Sequence, residues 1–195
     1  RTHVVRTAAS CFAVLRQLRS FGGCVSRQVL QFLVVSLVLT RLDYGCATLA
    51  GAPASLLDKL QSVMNAAARL ILSARKYDHV TPLLRELHWL RVPERITFRL
   101  AVYAYRCQHG LAPSYLADDI RRVADVESRR RLRSASTAQL LVPLTERSTI
   151  GDRAFPVAAT RAWNSLSPHV TSSPSLPVFR SRLKTELFAR SFGIV

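Results

Sequence analysis

Two adjacent carboxylates, Asp118 and Asp119 in Leu116-Ala117-Asp118-Asp119-Ile120, are the residues that come nearest to a catalytic pair. Two-metal phosphoryl transfer sets such carboxylates on a tight turn between apolar strands, with a third opposite to share the Mg²⁺ ions. Here the pair runs on into Ile120-Arg121-Arg122, with no second apolar strand, so it reads as a solvated helix end. His79 and His88 have no nucleophile in a recognisable arrangement and no glycine-rich elbow beside them, which leaves capping or packing roles. Cys107 and His109 are close, but no second pair at ligand spacing accompanies them. Cys11, Cys24, Cys46 and Cys107 are scattered without a CxxC, as expected of reduced thiols in an intracellular protein. No catalytic residue and no metal site follow from these residues.

Arginine is the other chemistry in the chain. The net charge is +16, and 25 of the 28 basic residues are arginine. A planar, weakly hydrated guanidinium forks onto phosphate oxygens, so the excess points to nucleic acid. A codon bias toward arginine is the plain alternative. Residues 1–77 carry ten basic and two acidic residues, residues 128–195 eleven and three, and residues 78–127 seven of each. Two basic flanks around a neutral middle suit contact with a polyanion through the outer parts. The densest run, Arg121, Arg122, Arg129, Arg130, Arg131 and Arg133, puts six arginines in thirteen residues and reads as a phosphate-binding segment rather than a loop bridged to Asp125 and Glu127. Arg95, Arg99 and Arg106 fall within about 40° on a helix and form a second candidate stripe, which Glu94 or Asp118 and Asp119 would equally absorb. Trp89 and Trp163 sit at apolar spacing and read as core rather than as stacking platforms for bases.

The elements that would position these residues are helical. Val4, Ala8, Cys11, Leu15 and Leu18 make one face of a helix over 3–20, ended by Gly22-Gly23. Ser26 is the expected N-cap of a helix to about Arg41, apolar on most sides and therefore expected in the middle of a bundle. Its run Val29–Leu39 is eleven residues, against ~20 for a membrane span, so no membrane association is expected. Leu56, Leu57, Leu60, Val63, Met64, Ala67, Leu70 and Ile71 define a helix over 54–73. Asp78 is the expected cap of a short helix over 80–87, and Pro93 opens the next, 93–108. A short helix over 114–124 follows. Periodicity fails from 125 to 150, where Leu140-Leu141-Val142-Pro143 allows an edge strand at most. Helices return over 152–166, capped by Asp152, and over about 175–190, burying Phe179, Leu183 and Leu187. The expected fold is mainly α, a helical bundle with a short irregular or edge-strand segment near 138–144.

A set of short motifs in fixed order resembles one known family. They include Asn65-Ala-Ala-Ala-Arg69-Leu-Ile71, His79-Val-Thr-Pro82, Leu87-His-Trp-Leu90, Gly110-Leu-Ala-Pro-Ser-Tyr-Leu116, Gly151-Asp-Arg-Ala-Phe155, Trp163-Asn-Ser-Leu166 and Leu183-Lys-Thr-Glu-Leu-Phe188. Together they resemble the region after the polymerase palm in polyproteins of non-LTR, LINE-type retrotransposons. The resemblance implies thumb-like helices over 1–50, a central helical region over 51–127, and a basic loop with a C-terminal helical region over 128–195. It implies a non-catalytic part of an RNA-directed DNA polymerase that binds RNA or DNA beside the palm and fingers, in nucleus and cytoplasm. Mg²⁺ would belong to the palm alone. The chain begins in mid-pattern at Arg1, as a truncated polyprotein would. Proline usually stands in that family where this chain has Arg91, and often where it has Thr160 and Ser167, the mark of a drifting copy. The competing expectations are a helical protein-interaction module and a decayed fragment without a selected function.

Overall fold

Apolar residues at three- and four-residue spacing turn most of this chain into helix. The computed structural model describes residues 2–125, 139–146 and 151–193, and it is mainly α-helical with no strand among them. The chain divides into two compact units: residues 1–46, 52–95 and 191–195 form the first, residues 47–51 and 96–190 the second.

In the first unit, α1 (Thr2–Phe21) buries Val4, Ala8, Cys11, Leu15 and Leu18, the stripe its sequence marks out. Gly22–Cys24 tightens into a 3₁₀ turn. Ser26 then caps α2 (Arg27–Val34), its Oγ accepting from the Val29 amide at 3.4 Å. The helix passes through a π turn, Val35–Leu39, into α3 (Thr40–Asp43). Leu30, Val34, Val38 and Leu42 are buried at i+4 steps. In a regular α-helix each such step drifts about 40°, and the wider π turn takes up that drift. The run is not central to the bundle, contrary to its apolar composition. It packs on α1 and α4 along one side, while Val29 is 46% and Phe32 69% exposed.

Helix α4 (Ala54–Ile71) buries Leu60, Val63, Met64, Ala67, Ala68 and Ile71, and α1 lies against it. It ends in a Schellman turn: the Ser73 and Ala74 amides donate to the Leu70 and Arg69 carbonyls, with Ser73 at φ 50°. Asp78 does not cap α5 (Val80–Glu86). His79 holds the cap position without a side-chain bond, and the Asp78 carboxylate instead accepts from the Arg75 amide at 2.6 Å. An acceptor is better used closing that turn, whose amides have no helical partner. Helix α6 (Val92–Gln108) begins in this unit, and the Gln61 side chain accepts from the Val92 amide at 2.9 Å.

The second unit is built on the remainder of α6, with α7 (Ser114–Ala117), α8 (Phe155–Asn164), α9 (Pro168–Thr171) and most of α10 (Leu176–Phe192). Its core is aromatic. Tyr105 and Phe179 stack with centroids 4.5 Å apart, Trp163 and Phe179 at 5.7 Å, and Tyr105 Oη donates to the Ser173 carbonyl at 3.2 Å. Trp163 and Trp89 are both buried, each in its own unit, as core residues. The edge-strand segment is realised as one antiparallel bridge between Arg122 and Leu140. On its other side, Asn164 imitates a strand: its Oδ1 accepts from the Leu140 amide at 2.9 Å and its Nδ2 donates to the Leu140 carbonyl at 2.8 Å. Helix α8 starts after Ala154, not at Asp152, whose carboxylate binds Thr145 and Arg161. Glu186 on α10 accepts from the Ser167 amide and hydroxyl, closing the start of α9.

Candidate nucleic-acid interface

Five of the nine arginines that the sequence singles out, Arg95, Arg99, Arg106, Arg121 and Arg122, lie among the described residues. Arg129, Arg130, Arg131 and Arg133 lie outside the described residues. Arg121 and Arg122 are exposed, with their backbone paired to residues 139–141: the Leu141 amide donates to the Arg121 carbonyl at 2.8 Å. The Arg122 guanidinium donates to Gln108 Oε1 at 3.1 Å. The base of the arginine run is thereby anchored on a short ladder with both side chains turned to solvent.

Within the α6 stripe, Arg95 is committed to a partner in its own unit. Arg95 makes a two-pronged ion pair with Asp43 at 2.9 and 2.6 Å, and both side chains are only about a fifth exposed. Arg99 and Arg106 belong to the other unit and are half-buried, and Arg106 Nε is buried without an acceptor. Spacing on the helix placed these three on one stripe; partners 52 residues away in sequence decide what Arg95 does.

A second basic surface lies on the first unit, built from residues outside both arginine clusters that the sequence marks out. Between α1 and the end of α4 runs a groove of about 330 Å³, floored by Leu15, Ala66, Leu70 and Ala74, with Phe12 at its lip. Arg16 and Arg19 stand on the α1 wall, Arg69 on the α4 wall, and Lys76 on the turn that Asp78 closes. Among the described residues no carboxylate lines it, and neither Arg16 nor Arg19 has an ion-pair partner. Arg69 is tethered by its Nη2 to the Asp78 carbonyl at 3.1 Å, while its Nε is buried without an acceptor. Like charges converging on an apolar hollow oppose compaction, so the arrangement favours an anionic occupant. A signal was present in the sequence: Phe12, Leu15, Arg16 and Arg19 follow i, i+3, i+4, i+7, an apolar stripe edged with cations.

The titratable groups offer little else. Asp118 and Asp119 are exposed at the end of α7. Among the described residues no three His, Cys, Asp or Glu side chains converge as a metal site would need. His109 stacks on Tyr105 at 4.0 Å, and its partial burial, then the charge of Arg122, hold its imidazole below the ordinary value. All four cysteines are free, with Cys24 alone exposed. No described helix is long and apolar enough to cross a membrane. The chain matches no family model, and no curated protein or solved structure matches it.

Proposed function

We propose that this chain is a nucleic-acid-binding portion of a reverse transcriptase of the LINE type, without a polymerase centre of its own, and that it grips phosphate backbone. The observation that carries the binding is the distribution of cations. The first unit holds thirteen basic and five acidic residues and the second fifteen and seven, a surplus of eight in each. In the first unit four of those cations meet at a groove lined by no carboxylate among the described residues. In the second, Arg121 and Arg122 stand exposed where the arginine-rich run begins. The attribution to a reverse transcriptase rests on the ordered motifs from Asn65 to Phe188 alone.

The test is salt dependence. Binding to structured RNA or duplex DNA, with little preference for sequence, is expected to weaken by orders of magnitude between ~50 and ~200 mM salt, as several phosphate contacts require. Affinity unchanged over that range would refute the electrostatic reading. No nucleotide incorporation is expected from the chain with Mg²⁺ and a primed template. Incorporation lost on Asp118→Ala/Asp119→Ala would overturn that part.

A second reading, a helical module for protein partners, is favoured by the exposed apolar side chains of α2, Val29 and Phe32. An apolar interface would hold its affinity across the same salt range.

A further inference from the structure

Four cations surround the α1–α4 groove, yet its apolar floor is more than a phosphate needs. We infer that it takes one unstacked base of single-stranded nucleic acid, with the adjoining phosphates held by Arg16, Arg19, Arg69 and Lys76. This rests on the phosphate-binding reading and adds to it a base pocket.

The hollow has about 330 Å³, at the lower end of the ~300–1,000 Å³ usual for small-ligand sites and matched to a nucleotide rather than to a helix. A duplex keeps its bases stacked and paired, so it presents phosphates to such a hollow but no base face; a single strand presents both. The floor is made by Leu15 and Leu70, and the Phe12 ring, 36% exposed, stands at the rim. An apolar floor with an aromatic lip accepts any base through its π face without reading its edge. The cations then sit where they are needed. Arg16 and Arg19 come from one wall, Arg69 from the other, and Lys76 from the turn beyond, so a strand with its base down would meet positive charge on either side. Arg69 is held on its wall by the bond from its Nη2 to the Asp78 carbonyl, which positions the guanidinium before any phosphate arrives. An acidic peptide shares the charge but not the flat apolar body that this floor suits.

The experiment compares three probes on the full chain: a twelve-residue oligothymidylate, an abasic strand of the same length and charge, and a polyglutamate peptide. The thymidylate is expected to bind roughly tenfold or more tighter than the abasic strand, the difference that stacking one base supplies. Phe12→Ala should abolish that preference and leave the salt slope intact. Phe12→Leu, which keeps the rim apolar but removes the ring, should abolish most of it. Arg16→Ala with Arg19→Ala, both at exposed positions, should weaken both strands equally and flatten the slope by roughly 1.4, about 0.7 for each single-strand phosphate that is no longer neutralised. Equal affinity of the wild-type chain for thymidylate and abasic strands overturns the base pocket while leaving the phosphate reading standing. That comparison needs no variant to fold. Failure of both strands to bind overturns the base pocket, failure of duplex DNA and structured RNA as well overturns the phosphate reading, and polyglutamate binding that depends on Arg16 and Arg19 in that case assigns the groove to an acidic peptide.

Discussion

Single side chains in this protein act mainly by satisfying backbone that the helices leave open. Asn164 is the clearest, binding both the amide and the carbonyl of Leu140 and so holding the buried Leu140 side chain in the second unit. Asn164→Ala leaves two buried backbone groups without partners and is expected to cost about 2 kcal/mol in urea unfolding. Asn164→Asp, which keeps only acceptors, should cost at least as much at neutral pH, because it faces the Leu140 carbonyl with a charge. The thiols give a second residue-scale test. Burial raises the Cys11 thiol above its ordinary value despite the nearby Arg41 charge, and burial likewise raises Cys107 despite a backbone hydrogen bond. Because the folded state holds these protons more tightly, their contribution is complete below the unfolded thiol value and is lost as pH rises through the folded one. Stability is therefore expected to fall as pH climbs past the ordinary thiol range, and a Cys11→Ser/Cys107→Ser variant should show a shallower fall. Thiol reagents near pH 8 should label Cys24 first, leaving Cys11 and Cys107 for the unfolded chain.

At the scale of elements, the informative case is the interrupted helix from Arg27 to Asp43. Its composition is apolar nearly all round, yet the first unit supplies neighbours on one side only, α1 and α4. The π turn keeps Leu30, Val34, Val38 and Leu42 on that side and leaves Val29 and Phe32 in water. Leu30→Ala removes packed volume and is expected to cost about 2–4 kcal/mol. Phe32→Ser should move stability by no more than about 0.5 kcal/mol and should raise solubility. Equal losses from the two, measured by denaturant unfolding, would mean that both sides of the helix are covered.

For the whole molecule, the question is which of 28 cations are free to meet a polyanion. Changing Arg129, Arg130, Arg131 and Arg133 together to alanine is expected to lower nucleic-acid affinity and reduce the salt slope by about 0.9 for each duplex phosphate that is no longer neutralised. Thermal stability should scarcely change, by about 0.5 kcal/mol or less for each substitution, since the run carries no apolar periodicity that a core would need. Arg95→Ala is the contrast. It removes the two-pronged guanidinium from Asp43, about a fifth exposed, and should cost about 1–3 kcal/mol of stability with little effect on the salt slope. A four-arginine variant with wild-type affinity and slope would remove that run as a site and leave the groove on the first unit as the main one.

Periodicity alone determined the buried faces of α1, α4 and α10, and the mainly helical class with them, because apolar spacing along a helix is a local property and needs no partner to be read. The Ser26 cap and the glycine end of α1 were legible for the same reason: donor and acceptor lie within a few residues. What the sequence left open is set by segments far apart along the chain. Asp78 and Asp152 have the composition of helix caps, yet each binds elsewhere, since a carboxylate goes to whichever amide or guanidinium the fold brings nearest. Arg95 pairs with an aspartate 52 residues away, which its spacing on the helix does not reveal. The groove exists only because α1 and α4 lie side by side, bringing Arg16 and Arg19 onto the same hollow as Arg69 and Lys76. Hydrophobic spacing is written residue by residue, but charge pairing and cavities depend on the path of the chain, and that path is what the tertiary structure decided.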